Sequence, residues 1–152
     1  MSKFRIELSN RQSKLPCDAA SLQRILEDVL REAADAADLS VAVVDDAQMQ
    51  QLNRRFLDRE GTTDVIAFAY GECEGCIEGE IVVNAEEAVR RAEGLSHGPE
   101  DELLLYAVHG ALHLVGYDDA QPAQRRRMHE RALEVLAATG RPLDSETLLE
   151  EQ

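Results

Sequence analysis

No apolar run in this chain approaches the roughly 20 residues that a membrane-spanning helix needs, so it is read as a protein that does not cross a bilayer. Cysteine is scarce. Three residues are an odd number for a disulfide framework, and a reducing cytoplasm is the expected setting. No repeat, low-complexity tract or Gly/Ser-rich linker interrupts the 152 residues, which fit one domain spanning 1–152 with a core of ordinary size. Positive charge is also short: 16 Lys and Arg against 30 Asp and Glu leave a net charge of −14. A surface that negative repels polyanions at long range, which argues against tight, non-specific nucleic-acid binding. The opening segment Met1–Glu7 has no long apolar core and reads as a strand rather than a signal peptide. What is present is globular in character, with 44% apolar and 30% charged residues.

Phe4, Ile6 and Leu8 alternate with charged residues, the pattern of a half-buried strand. From Asp18 to Ala37, Leu22, Ile25, Leu26, Val29 and Leu30 fall at helical spacing. Leu39–Val44 reads as a second strand, and Asp45 or Asp46 can cap a short helix through Phe56. Val65–Tyr70 is nearly continuous in apolar residues, as expected of a strand covered on both faces. A loop over Gly71–Gly79, a strand over Glu80–Asn84 and a helix to about Gly94 follow. Pro99 and three carboxylates behind it mark a helix start, and Gly116 marks its end. That helix is apolar nearly all round and is predicted to be central and buried. A last helix runs from about Pro122 to Thr139, and the acidic tail after Pro142 is read as frayed. The order predicts an α+β fold, a small mixed four-stranded sheet packed with about five helices.

The chemistry is concentrated in His109-Gly110-Ala111-Leu112-His113-Leu114-Val115-Gly116-Tyr117-Asp118-Asp119. Residues four apart on a helix project from one face, so His109 and His113 can bind one ion. Gly116 lets the chain turn back, which brings Asp119, or the neighbouring Asp118, within reach as a third ligand. Two imidazoles and a carboxylate leave a position for water, as catalytic zinc sites do. The plain alternative is two ordinary core or surface histidines. Against it, imidazoles in an apolar helix need polar partners, and the glycine and acidic pair arrive where a returning ligand belongs.

The segment resembles the signature of the YbeY family of rRNA-maturation endoribonucleases, His-Gly-x-Leu-His-Leu-x-Gly-Tyr-Asp. Leu52-Asn53, Thr63-Asp64-Val65-Ile66-Ala67-Phe68 and Gly79-Glu80-Ile81 are similar to that family's upstream blocks, in the same order. The likeness covers about residues 40 to 139. It implies a metal-dependent endoribonuclease that hydrolyses phosphodiester bonds in single-stranded RNA, in rRNA maturation and ribosome quality control. It implies catalytic and metal-binding roles for His109, His113 and Asp119, one zinc ion, and rRNA, the ribosomal small subunit or assembly proteins as partners.

Three positions depart from the family pattern. Asp119 stands where the family has a third histidine; the extra negative charge makes the ion a weaker Lewis acid and favours a harder metal such as manganese. Leu57 stands where the family has an arginine, with Arg54, Arg55 and Arg59 as candidate substitutes. Ala67-Phe68-Ala69 replaces the family's Ser-Phe-Pro.

Two other functions fit part of the pattern. A non-catalytic ribosome-assembly factor would keep the metal site and lack the cleavage. A metallopeptidase shares the histidine spacing but needs a glutamate directly after the first histidine, where this chain has Gly110. For RNA docking, Arg54, Arg55 and Arg59 form one basic cluster and Arg125, Arg126, Arg127 and Arg131 another; each alone reads more simply as a solvated helix face. Cys73 and Cys76 make one Cys-x-x-Cys pair in a loop, which only Cys17 and His97 could complete as a metal site; a loop without special function is the simpler reading. His129 is read as structural, His97 as a surface histidine, and Tyr117 and Asp118 as braces of the metal loop.

Overall fold

The computed structural model describes residues 3–70, 74–141 and 143. Four strands and five helices follow one another as β1 (Phe4–Asn10), α1 (Ala19–Arg31), β2 (Ala36–Val44), α2 (Asp46–Leu57), β3 (Val65–Ala69), β4 (Cys76–Asn84), α3 (Ala85–Ala92), α4 (Pro99–Leu114) and α5 (Pro122–Ala138). The sheet order is β1-β2-β4-β3. The first three lie parallel, and β3 runs antiparallel to β4. The fold is the expected α+β arrangement around a mixed four-stranded sheet.

Strand alternation divides the apolar residues between two layers. Leu39, Val41, Val43, Ile81 and Val83 face the main core with α1, α4 and α5. Ala42, Val44, Ile66 and Val82 face a smaller core closed by Met49 of α2. Helix α4 is the centre of the main layer: every residue from Glu102 to Leu112 is buried.

Asp18 and Asp45 cap α1 and α2 through their carboxylates, and Gln48 completes a capping box with Asp45. Asn84 is fully buried. Its amide nitrogen donates to Asp46 Oδ1, Thr62 Oγ1 and the Thr63 carbonyl, and its oxygen accepts from the N–H groups of Glu86 and Glu87. One side chain thus ties α2 and the chain before β3 to the start of α3.

Several expectations are corrected. The first helix ends at Arg31 rather than Ala37, because Ala36 and Ala37 pair with Cys76 and Ile77 in the sheet. β3 is an edge strand. Its two faces do meet the two cores, yet Ile66 is its one buried residue. The expected loop is shortened, because β4 begins at Cys76. Cys76 therefore opens a strand, and it is disulfide-bonded rather than a plain loop thiol. Cys73 and the tail beyond Pro142 lie outside the described residues, apart from Leu143. Among the described residues no helix is long and apolar enough to cross a membrane.

Candidate active site

The C-terminal half of α4 carries both motif histidines. A Cβ added at Gly110 would meet Ile81 Cγ2 at 2.8 Å and Val65 Cγ2 at 3.2 Å. The helix therefore lies directly on β3 and β4 at that point. Beyond Leu114 the chain reverses at Gly116, whose φ of 109° favours glycine. This reversal returns Asp119 to the helix, where its Oδ2 stands 3.5 Å from His113 Nε2. Asp118 is held elsewhere: its Oδ1 accepts from the N–H groups of Asp119 and Ala120 at 2.7 and 3.1 Å.

His109, His113 and Asp119 line one cavity of about 360 Å³ together with Asp64, Val65, Arg91, Arg125, Met128 and His129. A second cavity shares Asp64, Val65, His113 and Asp119 and continues past Leu57, Arg59 and Thr63. The two form a cleft, with His113 and Asp119 where they meet.

The charges of the site follow from burial. His109 is buried, and with His129 and His113 beside it the proton is disfavoured further, so its pKa is pushed down to about 3. Its imidazole is neutral at pH 7, the form that binds metals. Burial also lowers His129, with Asp119 opposing the shift. Asp64 is raised by burial, against the pull of Arg91. The Arg125 Nη1 donates to the Asp119 carbonyl at 3.3 Å.

Whether the site suits a cation can be judged from its donors. His109 Nε2 is buried with no hydrogen-bond partner among the described residues, which costs about 1–3 kcal/mol unless a further group completes it. The His113–Asp119 spacing is close to the roughly 3.4 Å between two donors on one tetrahedral ion with bonds near 2.1 Å. Among the described residues, no group of three His, Cys, Asp or Glu side chains already stands at ligand spacing. The side chains of His113 and Asp119 are 34% and 58% exposed, so they have room to turn toward His109. The donor set fits a divalent ion once they do.

His129, read from the sequence as structural, is buried on α5 with Met128, Ala132, Val135 and Leu136. It also lies edge-on to His109, with ring centres 4.7 Å apart, on the wall of the same cavity, a placement that helical spacing alone does not reveal. His97 is corrected from surface to interior: its Nε2 stands 2.6 Å from Glu102 Oε1, and both side chains are buried. It is not among the residues lining the cleft. Of the basic clusters, Arg59 and Arg125 reach the cleft. Arg54 is paired with Glu60, and Arg131 with Glu32 and Glu134.

Fold and cleft together define a one-sheet α+β protein with a histidine-lined depression at the end of its central helix. The chain belongs to the endoribonuclease YbeY family, whose model matches residues 7–140. It is 37% identical to the endoribonuclease YbeY of Thermobifida fusca over 93% of this chain and 97% of that one. It is likewise 37% identical to that of a Nocardioides species, over 88% and 96% of the two chains. The solution structure of TM1509 from Thermotoga maritima superimposes with a TM-score of 0.59 at 25% identity, covering 89% of this chain and 90% of that one.

Proposed function

We propose that this protein is an endoribonuclease that hydrolyses phosphodiester bonds in single-stranded RNA, with a divalent metal held by His109, His113 and Asp119. Zinc is the first choice for two imidazoles and a carboxylate, with manganese the harder alternative. The observation that carries the reading is the convergence of these three side chains on one cleft, with a buried His109 nitrogen that no group among the described residues satisfies.

Bound there, a divalent ion supplies Lewis acidity toward a phosphoryl oxygen and activation of water. The chain's own residues do the rest. Buried His109 stays neutral and offers a lone pair without first losing a proton. Arg125 on one wall and Arg59 on the other bring positive charge to where a scissile phosphate would gain negative charge. Arg59 thereby takes the place left by Leu57, which lines the same wall. These two arginines also answer the charge of −14: repulsion acts on the whole molecule, while attraction is confined to the cleft. rRNA, with the ribosomal small subunit or its assembly proteins, is the proposed setting, and the cytoplasm the place of action.

A peptidase is disfavoured by space as well as by sequence. The position after His109 lies against Ile81 and Val65 and has no room for a glutamate. Incubating zinc-loaded and chelator-treated protein with single-stranded RNA and with casein separates the readings. RNA cut by the loaded protein alone supports the proposal. Cleavage of casein would make it a peptidase, and cleavage of neither would make it a metal-containing assembly factor.

A further inference from the structure

The three-donor site has one ligand fixed in the core, His109, and two nearer the surface, His113 and Asp119. His109 also has a buried companion that the motif does not contain. His129, about two turns into the last helix, is 8% exposed, and His109 is 9% exposed. Their rings meet edge-on at 4.7 Å between centres and 80° between planes.

Edge-on packing is common between aromatic rings and needs no ion. It does not account for the ring nitrogens. His109 Nε2 and His129 Nδ1 are both buried, and neither has a hydrogen-bond partner among the described residues. Two adjacent imidazoles, each leaving a nitrogen unsatisfied on the wall of one cavity, are poor packing and good ligands. Two imidazoles on one tetrahedral ion hold their ring centres about 5.3 Å apart, given bonds near 2.1 Å, which is about half an ångström wider than the observed 4.7 Å and within reach of a slight turn of either ring. Asp119, the carboxylate placed near His113, lines the same cavity as His129.

We infer that His129 is a metal ligand of this chain, joining His109, His113 and Asp119 around one ion. It supplies the third imidazole that Asp119 does not, from α5 instead of from the loop after α4. The inference rests on the metal site proposed above and adds one donor to it. Four protein donors would hold the ion more tightly than three, and the carboxylate of Asp119, 58% exposed, is the donor that solvent can reach.

The chain has only four histidines, so each ring can be followed separately. In uniformly nitrogen-15-labelled protein, titration with zinc should give ligand-type shifts of ring nitrogens in His109, His113 and His129 and leave His97 unmoved. By chelator competition, His129→Ala should weaken zinc binding by about tenfold or more. His129→Phe, which keeps the edge-on ring, should weaken it equally. Tight zinc binding with His129 unshifted and its variants unimpaired would overturn this inference while leaving the three-donor site intact. No zinc binding by the wild-type protein would overturn both. The titration of the wild-type protein gives its answer even if neither variant folds.

Discussion

His113 Nε2 lies 3.5 Å from Asp119 Oδ2, although the two residues stand on opposite sides of the chain reversal at Gly116. The reversal selects Asp119 over its neighbour, because Asp118 Oδ1 accepts from the two N–H groups that follow it and Asp118 lines a different cavity, with Tyr117 and Arg127. Asp119→Ala should therefore lower kcat/KM on a single-stranded RNA oligonucleotide by about 100-fold or more, with the melting temperature little changed. Asp118→Ala should do the reverse, lowering the melting temperature through a loosened loop and sparing most of the rate. Equal losses of rate in both variants would mean that the loop, and not one carboxylate, is what matters.

Gly110 is a packing requirement. The branched side chains of Ile81 and Val65 meet any Cβ placed there, at 2.8 and 3.2 Å. Gly110→Ala should cost about 1–3 kcal/mol in urea unfolding as α4 is lifted from the sheet. Because the lift occurs one residue from His109, it should weaken zinc binding as well. A variant as stable as the wild type would show that the sheet yields at this point.

Acid should destabilise the metal-free protein. The imidazole of His109 titrates near 6.5 when unfolded and near 3 when folded. Between those values the unfolded chain holds more protons, so lowering the pH favours it. The contribution of neutral His109 is fully present above about pH 6.5 and is lost as the pH falls toward 3, by at most about 1.4 kcal/mol per pH unit. His129, also lowered by burial, adds to the same trend. Urea unfolding at pH 7 and pH 5 should show the loss, and His109→Phe should make it shallower. An unchanged slope in that variant would place the acid sensitivity elsewhere.

Arg59 and Arg125 should carry RNA affinity. Replacing each with alanine should raise KM for single-stranded RNA. It should also reduce the salt dependence of binding, by about 0.7 in log–log slope for each phosphate no longer neutralised. Arg131→Ala is the control, because its guanidinium is already engaged by Glu32 and Glu134. If Arg131→Ala changed the slope as much as the other two, RNA would be following the outer face of α5 and not the cleft.

The parts of this protein that local chemistry governs could be read from its sequence. Pro99, the three carboxylates and Gly116 bound α4 correctly, and of the two aspartates that could cap α2, Asp45 does so. The two motif histidines could be placed on one face by spacing alone. What could not be read depends on partners distant in the chain. Ala36 and Ala37 have helical propensity, but their backbone is claimed by β4. The apolar run of β3 belongs to an edge strand because both layers reach around it. His129 looks like a core residue of α5 until α4 is laid against it.

Elemental analysis of the purified protein beside His113→Ala asks whether His109, His113 and Asp119 hold one divalent ion. About one zinc or manganese per wild-type chain is expected, with a clear loss in the variant and both proteins equally folded by circular dichroism. A wild-type chain without metal, or a variant that keeps a full equivalent, would contradict that assignment.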